Sequence, residues 1–291
     1  MHTVLFVPHE DIPSRVSNLR TVKSQMFKNK VIAITGAGSG IGRALAEECA
    51  KRGAQLALAD IDERGVAETA SSLPSGVKSR TYKLNVASKE GVFEFADKVL
   101  EDFGVAHYII NNAGISVLAT VEHVSLEEIE KVLAVNLWGV VYGTKAFLPI
   151  FLKQKEGCIV NVSSVFGLVA TPCSVAYTMS KFAVRGLTET LWQELEGTGV
   201  RAVSVHPGGI NTNIPKNTIE STLGGDFERR MAEANKRQMI TSPRDCALEI
   251  IAGLERGDKR LLVGNGAKAL HFLSRIMPDN YGKMVRKKLN Y

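Results

Sequence analysis

Short apolar runs alternate along this chain with longer stretches in which apolar positions recur every three or four residues, the signature of strands alternating with helices. Residues 31–34 (VIAI), 55–59 running into Asp60, 79–84, 107–110, 158–162, 200–205 and 260–263 predict seven strands. Between them, the segment carrying Ala44, Leu45, Ala46 and Cys49, residues 63–73, 89–103 and 126–153, the segment opening near Tyr177, and residues 244–255 predict helices, with Pro149 bending the end of the longest. Such alternation implies a parallel sheet with right-handed crossovers and helices on both faces, an α/β doubly wound three-layer sandwich. Residues 1–27 show no period and form an extension, residues 28–265 one domain, and residues 266–291 a basic helical tail. In that tail Leu270, Leu273, Ile276 and Met277 fall at helical spacing and predict packing on the same domain. Residues 213–242 are polar, with a short helix over 227–236, an insert of the kind that serves as a lid.

Composition narrows the class. With 291 residues and 45% hydrophobic content the chain can bury a full single-domain core. Cys49, Cys158, Cys173 and Cys246 are scattered, which argues against a disulfide framework or zinc cluster and suits the cytoplasm. The six histidines show no ligand spacing, so His107, His123 and His206 read as packing or surface residues and no metal is expected. An apolar run at residues 4–7, cut by Pro8, is too short for a secretory signal, and no run approaches the ~20 apolar residues of a membrane span. The net charge of +6 is uneven, because residues 256–291 hold nine Lys/Arg against two Asp and leave −1 for the rest. No nucleic-acid partner is expected, and for the tail the pattern favours packing over contact with an anionic membrane.

Two stretches carry candidate chemistry. The first strand ends in Thr35-Gly36-Ala37-Gly38-Ser39-Gly40-Ile41-Gly42 and runs into a helix. Glycines there let backbone amides approach a pyrophosphate, which the helix amino terminus attracts. The spacing Gly36-x-x-x-Gly40-x-Gly42 is one residue longer than the common dinucleotide fingerprint. Asp60, twenty residues beyond Gly40, can accept both hydroxyls of an adenosine ribose and would repel a 2'-phosphate. Neither Ser39 nor Ile61 supplies a compensating cation, so NAD is expected rather than NADP. In the second stretch, Tyr177 and Lys181 stand one helical turn apart on one face. An ammonium near the phenol would favour the phenolate, making the pair an acid/base device, and Ser164 at a strand end can polarise a substrate oxygen. Asn111-Asn112-Ala113-Gly114 follows the fourth strand, and Asn136 sits among apolar neighbours, where a buried amide needs partners.

Together TGAGSGIG, Asp60, NNAG, Asn136, Ser164, Tyr177-x-x-x-Lys181 and Pro207-Gly208 resemble the short-chain dehydrogenase/reductase family over about residues 28–265. The resemblance implies a Rossmann-type fold, NAD and hydride transfer between an alcohol and a carbonyl. It makes Tyr177 the general acid/base, Lys181 its activator and ribose ligand, Ser164 the carbonyl anchor and Asn136 the holder of a relay water. Gly36, Ser39, Gly40, Ile41 and Gly42 would line the pyrophosphate, Asp60 the adenine ribose, and Asn112, Ala113 and Gly114 the cofactor edge. Pro207, Gly208, Ile210 and Thr212 would border the nicotinamide. Asn85 stands where the family usually has Asp, and with Val86 it is expected to keep the adenine contact. A non-catalytic cofactor sensor or scaffold on the same fold would have no use for the complete set. A homodimer or homotetramer paired through the Asn136 and Tyr177 helices is expected. Ser116, Val117, Leu118, Val165, Phe166, Leu168, Pro172 and Cys173 are expected to face the substrate, and such apolar walls suit a lipophilic alcohol or ketone.

Overall fold

The computed structural model describes residues 25–211, 218–220 and 223–289. Its main sheet joins β1 (Val31–Thr35), β2 (Gln55–Asp60), β3 (Ser79–Lys83), β4 (Tyr108–Asn111), β6 (Gly157–Val162), β7 (Val200–Gly208) and β9 (Arg260–Gly264), all parallel, in the order β3-β2-β1-β4-β6-β7-β9. Alternate residues of one strand point to opposite faces. Thus Ile32, Ile34, Leu56 and Leu58 join α1 (Gly40–Ala50), α2 (Glu63–Ser71) and α8 (Pro243–Arg256) in one apolar layer. Val31, Ala33, Ala57 and Ala59 meet α3 (Lys89–Phe103), α5 (Gly139–Gln154) and α6 (Val175–Glu194) in the other. Because both faces are covered, the central strands read as continuous apolar runs, which is why they were visible in the sequence. Strand order reverses between β1 and β4, and a doubly wound sheet binds ligands at that crevice.

Several elements differ from expectation. β7 continues through Pro207 and Gly208, predicted as a loop, because β9 pairs alongside with His206 opposite Leu262 and Pro207 opposite Val263. A second sheet of two strands, β5 (Ser116–Leu118) and β8 (Thr218–Glu220), ties the loop after β4 to the insert. Three-residue strands give no readable period. The long helix is α4 (Leu126–Leu133) and α5, joined by a π-turn at Ala134–Trp138. It is long and apolar enough to cross a membrane by composition, unlike anything expected from the sequence. Here its apolar face is spent on the sheet, with Phe147 and Phe151 fully buried.

The insert carries α7 (Asp226–Gln238), longer than predicted and fixed at its start by Glu228. That carboxylate accepts from Thr120 N and Oγ1, His123 Nδ1 (2.7 Å) and Gly225 N, and these bonds hold it ionised well below the usual carboxylate range. In the tail, α9 (Ala267–Ile276) and α10 (Tyr281–Leu289) seat Ala267 and Val285 on the domain and half-bury Leu270 and Leu273. Ile276 and Met277, expected to pack with them, are exposed.

Candidate active site

At the end of β1 the chain turns through Gly36 (φ 66°) and Gly40 (φ 54°) into α1. A Cβ at Gly36 would lie 2.8 Å from Ala113 Cα, and one at Gly42 2.7 Å from Asn112 Nδ2, so both positions are closed to a side chain. Ser39 does not cap the helix with its side chain, which leaves the first-turn amides of Gly40, Ile41 and Gly42 aimed outward beside the positive end of the helix dipole. Such a cradle fits a pyrophosphate. Ile41 contributes its amide alone, because its side chain is part of the core. Asp60 Oδ2 accepts from Gly38 N at 2.8 Å and Oδ1 from Asp62 N at 3.0 Å, which fixes the carboxylate at the end of β2 beside the turn. One basic residue reaches this corner that the sequence did not single out. Arg43 donates to Gly38 O (2.6 Å), Gly65 O (3.1 Å) and Glu68 Oε2 (3.3 Å), so its guanidinium is committed to the protein.

Asn112 braces the same turn by donating to Thr35 O and Gly36 O, while Thr35 Oγ1 accepts from the amides of Asn112 and Ala113. Asn85 is exposed and its Oδ1 accepts from Ala87 N, a local turn that presents Val86 against the Gly139 backbone. Pro207 and Gly208 end β7, and Ile210 is buried and bridges to Thr241. Thr212 lies outside the described residues.

The acid/base pair lies on the first turns of α6. Tyr177 and Lys181 share a face, with Lys181 Nζ 5.5 Å from the phenol ring centroid. Burial pushes the Tyr177 hydroxyl up, a shift that the hydrogen bond to the Ser164 side chain opposes. Lys181 is buried as well and pushed down to about 8, its Nζ donating to Val162 O at 2.8 Å. The phenol that the neighbouring ammonium was expected to lower is thus raised by burial in the protein alone. Desolvation is the largest cause of the shift on each partner.

Asn136 is fully buried in the π-turn. Its side chain accepts from Ile115 N (2.9 Å) and donates to Ile115 O (2.9 Å) and Ser180 Oγ (3.2 Å), which locks the π-turn to the loop after β4. These bonds use the Asn136 side-chain amide on Ile115 and Ser180. Gly114 lies between Asn136 and Lys181, since a Cβ there would be 3.3 Å from Asn136 Oδ1 and 3.7 Å from Lys181 Nζ. Of the expected substrate walls, Phe166 meets Tyr177 edge-on at 6.1 Å and Leu118 is half-buried. Val117 turns away into a cluster with Ala119, Val132 and Ala176, and Cys173 is buried at a left-handed φ of 58°, so neither forms an open wall.

His206, read from the sequence as packing or surface, is a fully buried support for Ser164. Its Nδ1 lies 2.9 Å from Ser164 O and its Nε2 2.9 Å from Ser204 Oγ. A carbonyl only accepts, so Nδ1 carries the hydrogen and Nε2 accepts from the serine. No motif flags this role, because a histidine before Pro-Gly is shared by many loops. Burial pushes His206 down to about 4. The unfolded chain takes up this proton near pH 6.5 and the folded one refuses it, so stability falls as pH drops from about 6.5 toward 4, by at most ~1.4 kcal/mol per pH unit. His107 and His271 are pushed the same way, whereas Glu48, held at about 2, contributes only below about 4.5. His206→Asn, which keeps a donor near the Nδ1 position, should flatten the loss measured by urea unfolding between pH 7 and 5. An unchanged slope would remove His206 as its source.

The comparisons agree with this geometry. Residues 30–222 match the model of the short-chain dehydrogenases. SadH of Mycobacterium tuberculosis, which carries an oxidoreductase's name, is 44% identical over 89% of this chain and 95% of its own length. Human estradiol 17-beta-dehydrogenase 11 is 32% identical over 90% of this chain and 83% of its own. Among solved structures, a short-chain dehydrogenase/reductase from Burkholderia phymatum in complex with NAD superposes with a TM-score of 0.80 at 31% identity, covering 89% of this chain and 96% of that one. This chain belongs to the short-chain dehydrogenase family of oxidoreductases.

Proposed function

We propose that this protein is an NAD-dependent alcohol dehydrogenase or carbonyl reductase for a lipophilic substrate, with Ser164, Tyr177, Lys181 and Asn136 as its catalytic set. The observation that carries the reading is Tyr177 one turn from the buried Lys181, whose Nζ lies 5.5 Å from the phenol ring, with Ser164 opening the turn after β6, at the carboxyl ends of the strands next to the glycine cradle. The dinucleotide supplies the hydride acceptor or donor when bound. In the oxidative direction Ser164 holds the substrate hydroxyl, Tyr177 Oη takes its proton, and the hydride leaves the same carbon, so the C–OH becomes C=O. Lys181 holds the ribose and passes the proton on toward the π-turn at Asn136. In the reductive direction protonated Tyr177 returns the proton to the carbonyl oxygen. Apolar Phe166 and Leu118 near this oxygen favour a hydrocarbon-rich substrate over a polyol, whose hydroxyls would lack partners. The name of estradiol 17-beta-dehydrogenase 11 points the same way.

Tyr177→Phe should lower turnover by at least ~100-fold while leaving NAD binding nearly intact. Lys181→Ala should weaken both. Turnover by Tyr177→Phe near the wild-type rate, with the best alcohol of an aliphatic, aromatic, steroid-like and polyol panel, would exclude the assigned base. Oxidation should rise with pH, since only ionised Tyr177 accepts the proton and burial has moved its ionisation upward. A polyol optimum in the same panel would overturn the lipophilic reading.

Preference for NAD over NADP should be at least ~100-fold, because a 2'-phosphate would face the fixed Asp60 carboxylate. Asp60→Ala should narrow it, and parallel titrations with the two cofactors measure both. Equal affinity in the wild type would remove the role given to Asp60.

Association follows from exposed Trp138, Leu152, Met179 and Phe182 on the outer sides of the Asn136 and Tyr177 helices, which suit pairing with a second copy. Light scattering at micromolar concentration should give at least twice the 31.6 kDa chain mass. A monomer would refute the pairing.

A further inference from the structure

The tail is built as two layers. Ala267 and Val285 are buried on the domain side, whereas the outer side of α9 presents Lys268, Phe272, Arg275 and Ile276, with Phe272 66% and Ile276 61% exposed. Positions 268, 272 and 276 are four apart and so form one line along the helix. Met277 follows, and α10 adds exposed Lys283, Met284 and Arg286. Both helices thus expose cations beside large apolar groups. Residues 267–291 hold six Lys/Arg and one Asp, nearly all of the chain's net +6.

This surface is joined to the site. Tyr281 Oη accepts from Ala170 N at 2.9 Å, which fixes α10 to the loop running from the Ser164 turn to the Tyr177 helix. At the other end Asn265, two residues before α9, donates from its backbone to Thr241 Oγ1 (3.0 Å) and from its side chain to Gln238 O (3.1 Å). Between those two partners Ile240 is 71% exposed, which extends the apolar edge to the end of α7.

We propose that α9 and α10 dock on an anionic lipid surface. Apolar side chains interleaved with Lys and Arg on a surface helix match the headgroup boundary, where phosphates meet cations and Phe and Ile enter the acyl region. Charge argues against a second copy as the occupant, since a two-fold contact through this face would set two basic tails against each other. The docked face adjoins the loop before Tyr177, so the substrate side of the enzyme stands at the bilayer, where lipophilic alcohols partition. Binding itself does not rest on the proposed reaction.

Flotation of the full-length protein with vesicles tests this. Vesicles of phosphatidylcholine with phosphatidylserine should carry the protein, and phosphatidylcholine alone should carry at least ~10-fold less. Phe272→Ser/Ile276→Ser and Lys283→Glu/Arg286→Glu should each reduce binding by ~10-fold or more. Both variants should keep the wild-type far-UV circular dichroism and urea midpoint, which separates lost docking from lost folding. No binding to anionic vesicles, or wild-type binding by either folded variant, would overturn the proposal. So would a fall in oligomeric mass in Phe272→Ser/Ile276→Ser without loss of flotation, which would make this face a contact between copies.

Discussion

The active-site half of the molecule is arranged around one buried ammonium. Lys181 has left water, a transfer costing several kcal/mol unless the charge finds partners, and the partner present is the carbonyl of Val162 at the end of β6. That requirement fixes the distance between α6 and the sheet. Ser163 donates to Lys181 O at 2.8 Å, and a Cβ on Gly167 would meet the same carbonyl, so the turn after Ser164 lies directly on the Lys181 backbone. One strand end therefore positions the lysine, the serine and, through α6, the tyrosine.

Polar chains under the site keep this arrangement unique. Asn111 donates to Asn161, Asn161 to Thr188, and Thr188 to Val184 O, a line of bonds that joins β4, β6 and α6. Ser204, His206 and Ser164 O form a second line from β7. Both are buried, and in a low-dielectric interior a slipped register would leave several donors unpaired at ~1 to 3 kcal/mol each. Packing alone tolerates a sliding sheet better than these pairings do.

Much of this was legible in the sequence for physical reasons that also mark the limits. Parallel strands covered on both faces must be apolar throughout, so residues 31–34 and 158–162 announce themselves, and a turn that excludes Cβ must show glycine, as Gly36 and Gly42 do. The π-turn at Asn136 leaves no such mark, because it depends on hydrogen bonds to Ile115 and Ser180, residues remote in the chain. Pro207 argued for a loop, yet β9 pairs alongside and the strand runs on through it. His206 was read as packing or surface and Arg43 was not singled out because each reaches a backbone carbonyl, Ser164 O and Gly38 O, which no motif marks. Helical spacing in the tail correctly gave a helix, but spacing does not say how many of its sides are covered.

Electrostatics in the site points to when the base is made. Burial raises Tyr177 and lowers Lys181 to about 8, so on raising the pH of the protein alone the lysine loses its proton before the tyrosine does. A neutral amine no longer stabilises a phenolate. Burial thus works against phenolate and ammonium standing together in the protein alone. Ser164 offsets part of the cost by its hydrogen bond, and a further positive charge has to supply the remainder. An oxidised nicotinamide ring carries such a charge. If Tyr177 is the base of the proposed reaction, a bound oxidised nicotinamide would favour its ionisation, so burial and cofactor charge would act in opposite senses on the same hydroxyl.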